Sequence, residues 1–243
     1  MTPSNTENPN WREDPLSKNL MEFLNEDAEE TVRTSINEPK FTGSEFESFA
    51  GRGDREDNAN TFTAEDIVAV SLLSIRIRGS AALAILEPPP VPEGELSLND
   101  LLALIPNDRA LWDDQAGVDA DDCTSHAAEL WRRLIKIPHV KNVTASKLLA
   151  RKRPRLIPID DKFVTDALRP SSEYFWIPLR NSLLANQSEV LHRLEEIRAA
   201  VGKDHDYSLL RILDAAVWLP LWQDDQNVKA LAREAKKAAK KAR

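Results

Sequence analysis

The chain has 243 residues, 42% apolar and 30% charged, which is enough to bury one sizeable core. Glycine is scarce, at 7 residues, and no G-x-G-x-x-G or G-x-x-x-x-G-K-S/T run occurs; the single cysteine, Cys123, excludes an intrachain disulfide and a Cys-rich zinc site. The net charge of −8 is unevenly spread: residues 1–60 carry 6 Lys/Arg against 14 Asp/Glu, residues 229–243 carry 7 against 1, and Arg132–Arg155 holds 9 Lys/Arg with no acid.

Residues 1–14 are polar and predict a disordered tail. Leu16, Leu20, Phe23 and Leu24 recur at helical spacing and predict a helix over 15–31. A short helix follows, ending at Gly51, and then a loop whose Arg52-Gly53-Asp54 triplet is read as chance. Thr63 with Asp66 is a capping pattern for a largely apolar helix reaching Ile77. Pro88, Pro89, Pro90 and Pro92 make a stiff extended linker. Ser97 with Asp100 repeats the capping pattern.

Asp119, Asp121 or Asp122 is expected to cap a helix through Ala127, Leu130, Trp131 and Leu134. A basic helix over 144–151 is stopped by Pro154, and Leu156–Ile159 is extended, with room for a small strand at 154–159. Asp161 opens the next helix. Helices over 181–201 and 207–219 follow, and a last one starts near Asn227. The fold class is mainly α: a helical domain over 15–225 with a basic helical tail over 226–243. No apolar run is long enough to span a membrane, no metal or cofactor is called for, and the polar start predicts a cytoplasmic protein.

The most specific segment runs from Ile137 to Val164. Its Lys147-Leu-Leu-Ala-Arg-Lys-Arg-Pro-Arg-Leu-Ile-Pro158 run, closed by Asp161, resembles the hallmark of an uncharacterised bacterial domain family, found mostly in actinobacteria and without an assigned function. Phe62–Val70, Leu111-Trp112, Leu210–Asp214 and Trp218 fit it as well, so the resemblance covers roughly residues 40–220. In that family the residue before the aspartate is usually tyrosine; here it is Asp160.

A second resemblance implies more mechanism. Ile137-Pro-His-Val-Lys-Asn-Val-Thr-Ala145, followed by Asp161 23 residues after Pro138, is similar to the helix-hairpin-helix base-excision DNA glycosylases. Pro138, Val140, Thr144, Ala145 and Asp161 fall on matching positions, while His139 and Lys141 stand where the hairpin glycines belong. The lysine nucleophile of bifunctional members falls on Val143, so the resemblance implies monofunctional chemistry at most, with DNA as partner.

Two readings stand for Asp161. It caps a helix, or it is a catalytic carboxylate that stabilises an oxocarbenium-like sugar. Lys141, Lys147, Arg151, Lys152, Arg153 and Arg155 are the candidate phosphate-binding residues; a solvated face or an anchored loop is the plainer reading. Trp131, Tyr174, Phe175 and Trp176 are candidate stacking groups, with core packing as the alternative. Asp204-His205-Asp206 and Cys123 with His126 lack the further ligands that a metal needs. The alternative to a DNA-binding enzyme is a scaffold or interaction protein without chemistry.

Overall fold

Eleven α-helices make up the regular structure of residues 15–38, 41–113, 116, 125–168, 175–185, 187–202 and 206–241, which the computed structural model describes. They are α1 (Pro15–Phe23), α2 (Ala28–Asn37), α3 (Ala64–Leu72), α4 (Gly79–Leu86), α5 (Leu98–Ala103), α6 (His126–Lys136), α7 (Asn142–Lys152), α8 (Lys162–Leu168), α9 (Trp176–Ala185), α10 (Gln187–Val201) and α11 (Leu209–Lys241). Two 3-10 turns, Thr42–Glu45 and Phe49–Gly51, lie in the connection from α2 to α3. No strand occurs among the described residues: 154–156 is a turn, closed by the Leu156 N–H on the Arg153 carbonyl, and 157–159 has no regular structure.

The helices form one domain around one core. The first turns of α11 are its axis: Leu209, Leu210, Ile212, Leu213, Ala215, Ala216 and Val217 are all buried, which leaves no solvent face there. Helix α11 packs on α1, α2, α8 and α10, while α3 and α6 pack on α7, and α5 on α6. No helix is long and apolar enough to cross a membrane among the described residues.

Both capping patterns form. The Ser97 and Thr63 N–H groups donate to Asp100 and Asp66 at 2.8 Å. Boundaries move for local reasons. The expected 15–31 helix is two, α1 and α2, separated at 24–27, where the Asn25 side chain accepts the Asp27 N–H. The third helix stops at Leu72, because Ser74 takes a left-handed φ of 60°. The short α4 was not expected from the sequence. Ser125 caps α6 through the Ala128 N–H, and the three aspartates expected there lie outside the described residues. The expected 181–201 helix is α9 and α10. The two expected C-terminal helices are one, α11, running through the 225/226 boundary; Pro220 removes one backbone donor without ending it.

The Arg52-Gly53-Asp54 triplet is a structural turn. Arg52 pairs with Asp54 at 2.9 Å, and Gly53 sits so close to α7 that a Cβ there would lie 2.5 Å from the Arg151 carbonyl oxygen. Gly53→Ala should therefore lower stability by about 1–3 kcal/mol, the range for overpacking. Gly79→Ala, where nothing stands within 4 Å of the new Cβ, should leave stability unchanged or raise it. Thermal melts of the two variants check the pair.

Candidate functional site

Beyond its first two residues helix α7 presents no face to water: Thr144 through Lys152 are all buried. Relative exposures of 2% for Lys147 and Arg151, 0% for Lys152 and 1% for Arg153 correct the reading of these four as a phosphate-binding face. Their donors are turned inward. Arg151 donates to the carbonyls of Phe46, Glu47 and Phe49 at 2.5–2.7 Å. Lys152 donates to Gly53 and Asn58, and Arg153 to Ala59, Leu102, Ile105 and its neighbour Lys152. Among the described residues, the buried carboxylate in contact with Arg151 and Lys152 is Asp66, at 2.5 Å from Lys152 and 3.4 Å from Arg151. Burial lowers the pKa of all three cations, Arg153 to about 10, while Asp66 opposes the shift at Arg151 and Lys152. Lys141 and Arg155, the other two candidates, are exposed.

The connection from α6 to α7 is a tight hairpin. His139 has φ of 72°, the left-handed region that glycine favours, and the Val140 N–H closes the turn on the Ile137 carbonyl. A side chain therefore occupies a glycine-type backbone position, which costs on the order of 1 kcal/mol. Lys141, at the second position, is extended with φ of −113°. The Arg78 guanidinium stands 3.4 Å from the His139 ring, so Arg78, His139 and Lys141 gather exposed at the hairpin.

Asp161 sits at the start of α8. Its Oδ1 accepts the Phe163 N–H at 3.0 Å and its Oδ2 accepts the Lys147 ammonium at 3.1 Å. Lys147 also donates to the Leu73 carbonyl. The approach to Asp161 is fixed from α7, where Ser146 accepts the Asp160 N–H and donates to the Pro158 carbonyl. Burial, together with the adjacent Asp161 charge, raises the pKa of Asp160.

Asp161 is a cap and also lines a cavity of about 400 Å³, a volume suited to a small molecule. The walls come from the 41–44 turn, the 72–75 segment, Lys147, Phe163 and α11. Arg211 and Asp214 form an ion pair in the wall, both nearly fully buried. Asp214 has its pKa raised to about 6, chiefly by burial and further by Asp161, against the pull of Arg211 and Lys147.

The aromatic residues at this cavity are not those expected. Trp131, Phe175 and Trp176 are buried core, and Tyr174 lies outside the described residues, as do Cys123, Asp204 and His205. The cavity uses Trp218 and Trp222, stacked at 5.6 Å, with Phe41 edge-on to both. The signal in the sequence is the four-residue spacing of the two tryptophans, one helical turn apart.

A model of a family of unknown function (DUF6308) matches residues 18–220, and the chain belongs to that family. No curated protein and no solved structure matches.

Two predictions follow the burial pattern. Lys152→Met leaves Asp66 with one weak cationic partner and two carbonyls without a donor, and should cost about 3–5 kcal/mol in denaturant unfolding; exposed Lys141→Ala should stay within about 0.5 kcal/mol. Folded Asp214 holds its proton more tightly than the unfolded chain, so its contribution is present below about pH 4. It is lost as pH rises through about 6. Wild-type stability minus that of Asp214→Asn should therefore fall by roughly 2 kcal/mol between pH 4 and 7.

Proposed function

For this member of a family of unknown function, we propose a DNA-binding, base-excising role of the helix-hairpin-helix type, with Asp161 as the carboxylate of a monofunctional N-glycosidic hydrolysis. One observation carries it. Asp161, held by the Phe163 amide and Lys147, lines an aromatic-walled cavity of about 400 Å³, and follows in sequence a hairpin with a left-handed residue in the glycine place.

In this reading an extruded base enters the cavity. As the bond from the sugar to the base nitrogen breaks, its electron pair leaves with the base and positive charge develops on the sugar. Asp161 stabilises that charge. Water adds to the sugar carbon, and its proton balances the departing base. Lys147 is occupied by Asp161 and the Leu73 carbonyl, which suits hydrolysis rather than lysine attack. Phosphate contact falls to the exposed hairpin groups Lys141, His139 and Arg78, in place of the buried cations of α7.

The test uses Asp161→Asn, which keeps a capping oxygen but leaves the Lys147 ammonium without its anion. It should cost about 1–3 kcal/mol and remain folded. Wild type should release free base from a damaged or mismatched duplex in a broad panel, and the variant should release none while still binding DNA. Lys141→Ala should flatten the salt dependence of binding by about one unit. No base release and no DNA retention at low salt by wild type would overturn the reading in favour of an interaction protein without chemistry.

A further inference from the structure

The connection from α3 to α4 lines two concave places. Leu72, Leu73, Ser74 and Ile75 wall the cavity of Asp161, and the next residues, Arg76, Ile77, Arg78 and Gly79, line an open groove of about 620 Å³. The connection is held at both ends. The Leu72 carbonyl accepts the Thr42 hydroxyl at 2.8 Å and the Leu73 carbonyl accepts the Lys147 ammonium. The Arg78 carbonyl accepts the Ala82 N–H at 2.9 Å, in the first turn of α4. From Ser74 to Arg78 the chain leads from cavity to groove within about 14 Å, the reach of the extended backbone.

The groove is cationic, and its cations lack counterions. Arg76 and Arg78 are exposed, and neither makes an ion pair among the described residues. Surface arginines elsewhere stand on carboxylates: Arg33 on Glu30, Arg55 on Asp57, Arg193 on Glu29 and Arg198 on Glu195. In a chain of net charge −8 the groove is thus a local exception in sign. Arg78 stands instead 3.4 Å from the His139 ring, 61 positions later in the chain, and exposed Lys141 follows two residues on. Like charges gathered in this way repel one another, and an anion relieves the repulsion. They lie along an open groove and a hairpin, which suits the repeating charges of a phosphodiester chain better than one small anion.

We propose that the Arg76–Gly79 groove seats the nucleic-acid backbone beside the target nucleotide, with phosphates along Arg76, Arg78 and Lys141 and the attached base facing the Asp161 cavity. The inference rests on the base-excising reading and deepens it. It adds Arg76 and the α3–α4 connection to the interface. It also makes the ligand a phosphodiester chain, because a free nucleoside has no phosphate for any of the three cations. A strand advances about 3.4 Å per nucleotide, so the path from cavity to groove covers about four nucleotides.

The experiment is binding of the full chain to a fluorescein-labelled DNA duplex of random sequence, followed by anisotropy across a salt series. Arg76→Ala and Arg78→Ala should each weaken binding severalfold and flatten the slope of log affinity against log salt by about one unit. Arg198→Ala, which removes an arginine already paired with Glu195, should leave the slope unchanged. Gly79→Asp separates binding from folding. Nothing stands within 4 Å of a Cβ at Gly79, and a carboxylate in the first turn of a helix is favourable, so the thermal midpoint should hold or rise. The same charge in the groove should weaken duplex binding severalfold. Unchanged slopes in Arg76→Ala and Arg78→Ala, or an equal flattening in Arg198→Ala, overturn the proposal. Tighter binding to polyglutamate than to the duplex does so too, and points to an acidic protein partner. Base release by wild type that is indifferent to all three groove substitutions defeats this inference alone. Groove-dependent duplex binding without base release defeats the excision reading alone.

Discussion

Three consecutive buried cations at the C-terminal end of α7 hold the domain together. Arg151, Lys152 and Arg153 face nine backbone carbonyls, drawn mostly from residues 46–59 and from the end of α5. A connection without regular ladders carries many backbone acceptors that require donors once they are buried. The cations supply them. Arg153 closes on Leu102 and Ile105 at the C-terminal end of α5, where a positive charge also suits the helix dipole. Asp66 supplies the contacting negative charge and at the same time caps α3, which ties α3 to α7 through one side chain.

The cavity depends on this arrangement. The C-terminal half of α7 fixes the 46–60 connection through its cations, and the N-terminal half fixes Asp161 through Ser146 and Lys147. The connection begins beside the cavity: the 41–44 turn that forms one wall runs directly into Phe46 and Glu47, whose carbonyls hold Arg151. Glu47 adds a further tie, taking the Ser208 N–H and hydroxyl at the start of α11. Cavity walls from α7, α11 and the 41–44 turn are thus set by buried polar contacts. Such contacts are costly to form and more costly to break singly.

Much of the helical content was legible in apolar spacing and capping residues, as Thr63 with Asp66 and Ser97 with Asp100 illustrate. The break at 24–27 and the left-handed Ser74 were not, because both turn on a few backbone angles inside continuous apolar patterns. The acid-free run from Lys147 to Arg155 pointed to the right segment and to the wrong chemistry. Absence of local acids fits a surface that meets phosphates, and it fits equally a buried helix whose cations meet carbonyls. Leu148, Leu149 and Ala150 lie between cations on every side of α7, and that is the pattern of a helix without a solvent face. Asp161 was legible as a cap. Its pairing with Lys147 and its place beside Asp214, 53 positions later in the chain, depend on tertiary packing that no local pattern encodes.

Native-state hydrogen exchange over residues 46–60 reports whether the buried cations of α7 fix this connection. The segment has little regular structure, so without the cations its amides would exchange by local opening. The hydrogen-bonded amides of Ala59 and Asn58 should exchange at close to the rate of α7 itself, through global unfolding. Exchange there faster than in α7 by orders of magnitude would contradict it.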